Sequence, residues 1–231
     1  MDVSVIIPTL NEEKYLAPCL ESLSSQRFSG SYEIIVGDGC STDKTEKICG
    51  EYGAKFVVEP KPTIAAGRQK ACDKAKGRII VSTDADIHAP AEWLDSIATQ
   101  FNGNVGLYGN IVPYDGSAAE AWVCKNVMSK YMHLMDVLGK PVPAGSNLSF
   151  TRKAFKEVGG FNTELVTAED LDLTHKLMGV GKVAYNPKGV VYVSLRRVKG
   201  WGYGNYIKFH VTNAIKYHTT GKSHDSYEPI R

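Results

Sequence analysis

A single α/β domain built on a mainly parallel sheet flanked by helices is the fold class this sequence predicts, on three observations. Up to about residue 112, short β-rich runs alternate with amphipathic runs of helix length, the pattern of successive βαβ units. The chain has 231 residues, 43% hydrophobic and 23% charged, enough to bury one core and too apolar for disorder. Polar and acidic residues stand directly after several strand-like runs, at the strand ends where open parallel sheets bind ligands.

The first strand is expected over residues 3–8, and it delivers Thr9, Asn11 and Glu12 before a helix over 12–26. A second strand over 33–36 delivers Asp38 and Ser41 before a helix over 43–52. Residues 55–58 form the third strand and 64–74 the helix after it. The fourth strand, 78–82, stops at Asp84 and Asp86 ahead of a helix over 91–101. Right-handed crossovers between parallel strands place these loops on one edge of the sheet.

The second half is patterned differently. Residues 117–138 read as a long helix carrying Trp122, Val123, Val127, Met128, Tyr131, Leu134, Met135 and Leu138. Most of that face is expected in the core, with a rest for acceptor or membrane as the alternative. A Gly145-Ser146-Asn147 turn, a strand over 148–151, a short helix ending at Gly159-Gly160 and a helix from about Glu169 follow. No repeat, low-complexity tract or linker divides the chain, so residues 1–197 are expected to be one domain and 198–231 a basic, aromatic C-terminal segment.

Net charge is only +2, yet the seven Lys or Arg and two acids of residues 194–231 make a local +5, and the rest of the chain carries −3. Such a segment suits phosphates or anionic lipid, or is simply solvated. Five scattered cysteines without a Cys-x-x-Cys pair suggest neither a disulfide framework nor a thiolate zinc site, and fit reduced thiols in the cytoplasm. The start of the chain lacks the basic and apolar regions of a signal peptide, and no window approaches the roughly 18 apolar residues of a membrane span. Expected localisation is therefore cytoplasmic, or at the cytoplasmic face of a membrane.

The most informative stretch is Ile79-Ile80-Val81-Ser82-Thr83-Asp84-Ala85-Asp86, where an apolar run ends in two carboxylates one residue apart. Mg²⁺ and Mn²⁺ take oxygen ligands in near-octahedral geometry, and one or two carboxylates leave positions for water and phosphate oxygens. An acidic turn before the next helix is the competing reading. Convergence of three loops on the same sheet edge favours the metal.

An ordered set of segments resembles the inverting glycosyltransferase family 2, whose GT-A fold is a Rossmann-like, mainly parallel sheet. The set comprises Val5-Ile6-Ile7-Pro8-Thr9-Leu10-Asn11-Glu12, Val36-Gly37-Asp38-Gly39-Cys40-Ser41-Thr42-Asp43, Ala66-Gly67-Arg68, Ala75-Lys76-Gly77-Arg78, Thr83-Asp84-Ala85-Asp86, Gly145-Ser146-Asn147, Gly159-Gly160-Phe161 and Glu169-Asp170. The resemblance runs over roughly residues 3–197. It implies a nucleotide-sugar-binding half over 1–112 and an acceptor half over 113–197.

The resemblance implies that Pro8, Thr9, Glu12 and Asp38 line the nucleoside pocket, with Asp38 accepting from the base. Helix capping is an alternative for Asn11 and Glu12. Arg68 would neutralise the nucleotide side or pair with Asp84. Asp86 would be the main ligand of a Mg²⁺ or Mn²⁺ cofactor, with Asp84 on the ribose or on the metal through water. Many relatives add a late His, where this chain has Ser194, and Arg196 and Arg197 would instead grip the diphosphate. Glycine is common where Cys40 stands. Asp170 would be the general base, and Ser146, Asn147 and Glu169 would contact donor sugar or acceptor. Thr167-Ala168-Glu169-Asp170 also reads as a helix start with Thr167 capping.

The expected donor is a nucleoside-diphosphate sugar, a UDP-sugar by family habit and a GDP-sugar as second choice. The acceptor would be a saccharide or lipid-linked hydroxyl, with peripheral membrane contact and no nucleic acid as partner. One rival is a polyprenyl- or dolichyl-phosphate sugar synthase, suggested by the loop Asp84-Ala85-Asp86-Ile87-His88-Ala89-Pro90. Another is a sugar-nucleotide-binding module without catalysis, which Ser194 and Cys40 keep open. A dinucleotide dehydrogenase is disfavoured, because no Gly-x-Gly-x-x-Gly follows the first strand.

Overall fold

Strand β1 (Val3–Thr9) lies inside the sheet with both faces covered, which explains why apolar side chains occupy both faces, with Ser4 and Thr9 as the buried polar residues. Val3, Val5 and Ile7 enter one hydrophobic cluster and Ile6 the other. In this computed structural model, which describes residues 1–227, β1 pairs in parallel with β2 (Tyr32–Asp38) and β4 (Ile79–Ser82). Strand β3 (Lys55–Val58) extends the parallel set beyond β2. The register sets Thr9 opposite Asp38, so the first two loops leave the sheet side by side.

Beyond β4 the direction changes. Strand β5 (Ile87–His88) is the outermost, β6 (Gly106–Pro113) pairs antiparallel with β7 (Leu148–Thr151), and β7 pairs antiparallel with β4. Strand β8 (Val183–Val193) runs parallel to β6, giving the order β3-β2-β1-β4-β7-β6-β8-β5. Helices α1 (Leu16–Ser24), α2 (Thr45–Glu51) and α4 (Trp93–Ala98) supply Leu16, Leu20, Cys49, Trp93 and Leu94 to the first cluster. Helices α3 (Ile64–Lys74), α7 (Arg152–Glu157) and α8 (Glu169–Met178) supply Ala71, Phe155 and Leu173 to the second. Phe150, Phe155 and Phe161 form an aromatic nucleus there, with Phe150 and Phe155 stacked at 5.0 Å.

Two elements differ from expectation. The long helix exists as α5 (Ala118–Val123), a π-helical turn at Cys124–Met128 and α6 (Ser129–Val137), but its apolar face is not core. Trp122, Val127, Tyr131, Leu134 and Leu138 are exposed, and only Met132 is buried on α6. A periodic stripe reports amphipathicity, not what covers it, and no described element does so here. After α9 (Arg196–Trp201), the C-terminal segment forms a long helix, α10 (Tyr203–Thr220), and residues 221–227 fold back along it. The last four residues of the segment expected over 198–231 lie outside the described residues.

Candidate active site

The loops after β1 and β2 are tied together by Asp38. Its Oδ1 accepts the Thr9 hydroxyl at 2.8 Å and the Ser41 hydroxyl at 2.6 Å, and its Oδ2 accepts the Ser41 amide at 2.7 Å. Asp38 is thus a buried organiser of the turn, with lone pairs left on Oδ2 for a further donor. Cys40 sits at φ +68°, in the left-handed region that favours glycine, so the turn survives the departure from glycine at some strain. Asn11 is also left-handed, and its side-chain oxygen accepts from the Thr42 amide rather than capping α1.

Two arginines organise the acids at the ends of β1 and β4. Arg68, buried on α3, donates Nη2 to Asp84 Oδ1 at 2.6 Å and Nη1 to Glu169 Oε1. Gly145 makes room for it, since a Cβ there would overlap the guanidinium. Arg196 donates Nε to Asp86 Oδ2 at 2.6 Å and forks onto both oxygens of Glu12 at 2.8 Å each, with Tyr15 against its face at 4.3 Å. Burial pushes the Asp86 carboxyl up to about 6 against the opposing pull of Arg196. Burial likewise raises Glu169, with Arg68 pulling the other way.

The turn after β4 is pinned to the Gly-Ser-Asn turn: Ser82 donates to the Gly145 carbonyl at 3.0 Å and Thr83 to the Ser146 carbonyl at 2.8 Å. Asn147 is buried, donating to the Asn110 and Gly189 carbonyls and accepting from Trp93 Nε1. Any contact of its amide with a sugar would displace those bonds. Pro8 lies half-buried at the end of β1, against the glycine of α3 that precedes Arg68.

Helix α8 opens with Glu169 and Asp170, where helix polarity favours carboxylates. Thr167 does not cap it; its hydroxyl donates to Asn213 of α10, and Ala168 takes a left-handed φ of +62°. That strained residue turns the chain so that Asp170 Oδ2 accepts the Gly145 amide at 2.8 Å. Asp84, Glu169, Asp170 and the Gly145 turn therefore meet around one guanidinium.

The two late arginines do not act as a pair. Arg197 turns to other neighbours, with Tyr227 against its face at 3.9 Å and Trp201 at 5.7 Å. Tyr206 lies within electrostatic reach of Arg197, Asp84, Asp170 and Asp86, and His210 within reach of Asp170 and Arg197. Sequence reasoning missed Tyr15, Asp115 and Tyr227 at this cleft, and it reached Tyr206 and His210 only as part of an aromatic tail from Trp201 to His210 that could serve as a lid, an acceptor platform or a membrane rest. The helical spacing of Tyr206 and His210 was the available signal. Two surface depressions elsewhere, along Pro90 to Gln100 and along Gln69 to Gly160, contain none of these acids.

No group of three or more His, Cys, Asp or Glu side chains is arranged to hold a metal among the described residues. Ser194 does not substitute for a late His, because its hydroxyl donates to Asp115 at 3.0 Å. Its amide donates to the Asp86 carbonyl at 3.0 Å, which docks the late loop on the acidic pair. One oxygen each of Asp84 and Asp86 accepts no hydrogen bond among the described residues. Two such oxygens fit a hydrated Mg²⁺ or Mn²⁺ that completes its shell with phosphate.

Comparison with known proteins identifies the family and the fold. Glycosyl transferase family 2 matches residues 4–159. Glycosyltransferase AglE of Haloferax volcanii is 26% identical over 191 residues, 78% of this chain and 62% of that protein. A dolichyl N-acetyl-alpha-D-glucosaminyl phosphate 3-beta-D-2,3-diacetamido-2,3-dideoxy-beta-D-glucuronosyltransferase of Methanococcus voltae is 24% identical over 216 residues, 82% of this chain and 65% of that protein. The chain thus spans less than two thirds of these relatives' length. Among solved structures, Staphylococcus aureus TarS 1-349 with UDP-GlcNAc superposes at TM-score 0.65 with 24% identity, covering 84% of this chain and 58% of the other. Mannosyltransferase PcManGT of Pyrobaculum calidifontis with GDP-Man and Mn²⁺ superposes at 0.68 with 21% identity, covering 98% and 65%. These likenesses show the GT-A fold.

Proposed function

The chain belongs to glycosyl transferase family 2, and from that premise we propose that it moves a sugar from a nucleoside-diphosphate sugar to an acceptor hydroxyl with inversion. The observation that carries the reading is the Arg68 bridge, which holds Asp84 of the donor loops and Glu169 of α8 on one guanidinium. Donor and acceptor carboxylates therefore face one cleft. We assign residues 1–112 to donor binding, 113–197 to the acceptor side and the segment from 198 onward to closing the cleft.

The acceptor oxygen forms a bond to the anomeric carbon as the bond from that carbon to the diphosphate oxygen breaks, and the electron pair leaves with the nucleotide. Asp170, oriented by the Gly145 amide, takes the acceptor proton. Pro8, Thr9 and Asp38 face the nucleoside, and Glu12 positions Arg196 for the diphosphate. Ser146 stands beside the sugar. Asp86, with Asp84, would hold Mg²⁺ or Mn²⁺, which when bound offsets the charge growing on the leaving diphosphate. UDP-sugars are favoured over GDP-sugars, and a saccharide or lipid-linked acceptor is reached from the cytoplasmic side.

Thermal unfolding with Mn²⁺ and UDP or GDP tests this reading. A metal-dependent rise in melting temperature for one nucleotide, abolished in Asp86→Ala, is expected because a ligand selective for the folded state stabilises it. Asp170→Asn should bind the nucleotide but not transfer. Nucleotide binding together with full transfer by both variants would overturn the assignment.

A further inference from the structure

Of the arginines in the cleft, Arg68 and Arg196 each engage two carboxylates, whereas Arg197 engages none among the described residues. Among the described residues, its Nη1 is buried without a hydrogen-bond partner, and so is the Nε1 of Trp201 four residues later. The two side chains face each other, with the guanidinium 5.7 Å from the indole ring. Leaving a buried donor unsatisfied costs about 1–3 kcal/mol, and native proteins rarely leave two together without a reason.

The surroundings say what would satisfy them. Trp201 packs against Phe209 at 5.1 Å and Tyr227 at 5.7 Å, and Tyr206 borders the same group at 6.5 Å. Aromatic faces temper the charge of Arg197 but offer its N–H groups no acceptor in the plane of the fork. A half-buried, aromatic wall also strengthens a charge-assisted hydrogen bond formed against it relative to one in open water. His210 packs on Tyr206 at 4.4 Å and on Phe209 at 5.5 Å, and both His210 and Tyr206 lie within electrostatic reach of Asp170 and Arg197. The neighbouring Arg196 is committed to Glu12 and Asp86, whereas Arg197 is not.

We propose that Arg197 and the indole N–H of Trp201 form a subsite for a phosphate group carried by the acceptor. This rests on the glycosyltransferase reading and names its acceptor class. A guanidinium fork and a separate indole donor approach from different side chains, and a tetrahedral phosphate has enough oxygens to meet both. The phosphate belongs either to a polyol or sugar phosphate or to a sugar linked to a prenyl phosphate, each of which still offers a hydroxyl to Asp170, and the chemistry at the subsite is the same.

The test is calorimetric titration of the full chain, with and without Mn²⁺ and UDP, against glycerol phosphate, a short-chain prenyl phosphate and the two corresponding alcohols. Phosphate-dependent binding in at least one arm is expected, and the stronger arm identifies the source. Arg197→Gln and Trp201→Phe, which keeps the ring and removes only the donor, should each weaken that binding about tenfold or more, the scale of one lost charge-assisted hydrogen bond, and leave UDP affinity unchanged. Equal loss of UDP affinity in Arg197→Gln would make Arg197 a diphosphate ligand and overturn the subsite. So would phosphate probes that bind no better than their alcohols, or that bind both variants as well as the original protein. Absence of UDP binding by the unaltered protein would instead count against the donor reading, because the phosphate arms without UDP are measured separately.

Discussion

At the scale of single residues, the donor side of the cleft depends on the protonation of Asp86. Burial raises its carboxyl to about 6, while Arg196 at 2.6 Å resists the shift. A proton and a divalent cation compete for the same oxygens, so Mn²⁺ affinity in the presence of UDP should be flat above about pH 6. Below it, affinity should fall roughly tenfold per pH unit, as displacement of one proton requires. Titration of Mn²⁺ by electron paramagnetic resonance between pH 5 and 7.5 measures this, and a flat profile would remove Asp86 from the ligand set. The metal-free protein should show the opposite sign in stability. A carboxyl raised on folding binds its proton more tightly when folded, so its contribution is present at low pH and lost as pH rises through about 6. The carboxylates themselves were legible in the sequence because they stand at strand ends. The contact of Arg196 with Glu12 and Asp86 was not, because it joins residues at opposite ends of the chain and depends on how β8 delivers the late loop. Cys40 was legible as a departure from glycine, and its φ of +68° gives the reason.

Among the elements, α3 matters most to the site because it carries Arg68, and it lies unusually close to the sheet. Gly67 on α3 and Gly37 on β2 meet face to face, and a Cβ on Gly67 would stand 2.9 Å from the Gly37 carbonyl oxygen. Alanine at 67 would gain up to about 1 kcal/mol in helix propensity. Overpacking costs about 1–3 kcal/mol, and the obstructing atom is backbone that cannot rotate away, so loss should win. Gly67→Ala is therefore expected to lower the melting temperature by a few degrees and to weaken nucleotide binding as Arg68 shifts. A higher melting temperature with unchanged binding would show that α3 does not depend on this approach. Gly37 and Gly67 sit inside the motifs that carry the family resemblance in the first half, and the β-then-α alternation there fixed strand and helix order without long-range information. The second half was less legible. Helix α10 reads locally as a glycine-bearing aromatic tail because of Gly202 and Gly204, and its partners Thr167 and Asp172 lie far back in the chain. The stripe of α5 and α6 was seen correctly but assigned to the core, since periodicity alone does not identify a partner.

Across the whole molecule, two helices present apolar stripes that no described element covers. On α10, Tyr203, Ile207, Val211 and Ile215 recur every fourth residue, each more than half exposed. Across α5 and α6, Trp122, Val127, Tyr131, Leu134 and Leu138 form the other stripe. No described helix is long and apolar enough to cross a membrane, so these faces would act at a surface. Lys208 and Lys222 beside the first stripe, and Lys125, Lys130 and Lys140 beside the second, form no salt bridge with a described residue, and residues 194–231 carry a local +5 against −3 over the rest of the chain. Such cations contribute about 1 kcal/mol each near an anionic bilayer, and the attraction fades with salt. A lipid-linked acceptor would reach the cleft from that surface. The protein is therefore expected to sediment with vesicles rich in phosphatidylglycerol, to remain free with phosphatidylcholine alone, and to be released at high salt. Ile207→Asp combined with Val211→Asp should abolish sedimentation and leave nucleotide binding intact, because both positions face away from the acidic cleft. Vesicle binding unaffected by these changes would place the contact elsewhere. Concentration-dependent self-association that the same changes abolish would instead make the stripe of α10 an interface between copies of this chain.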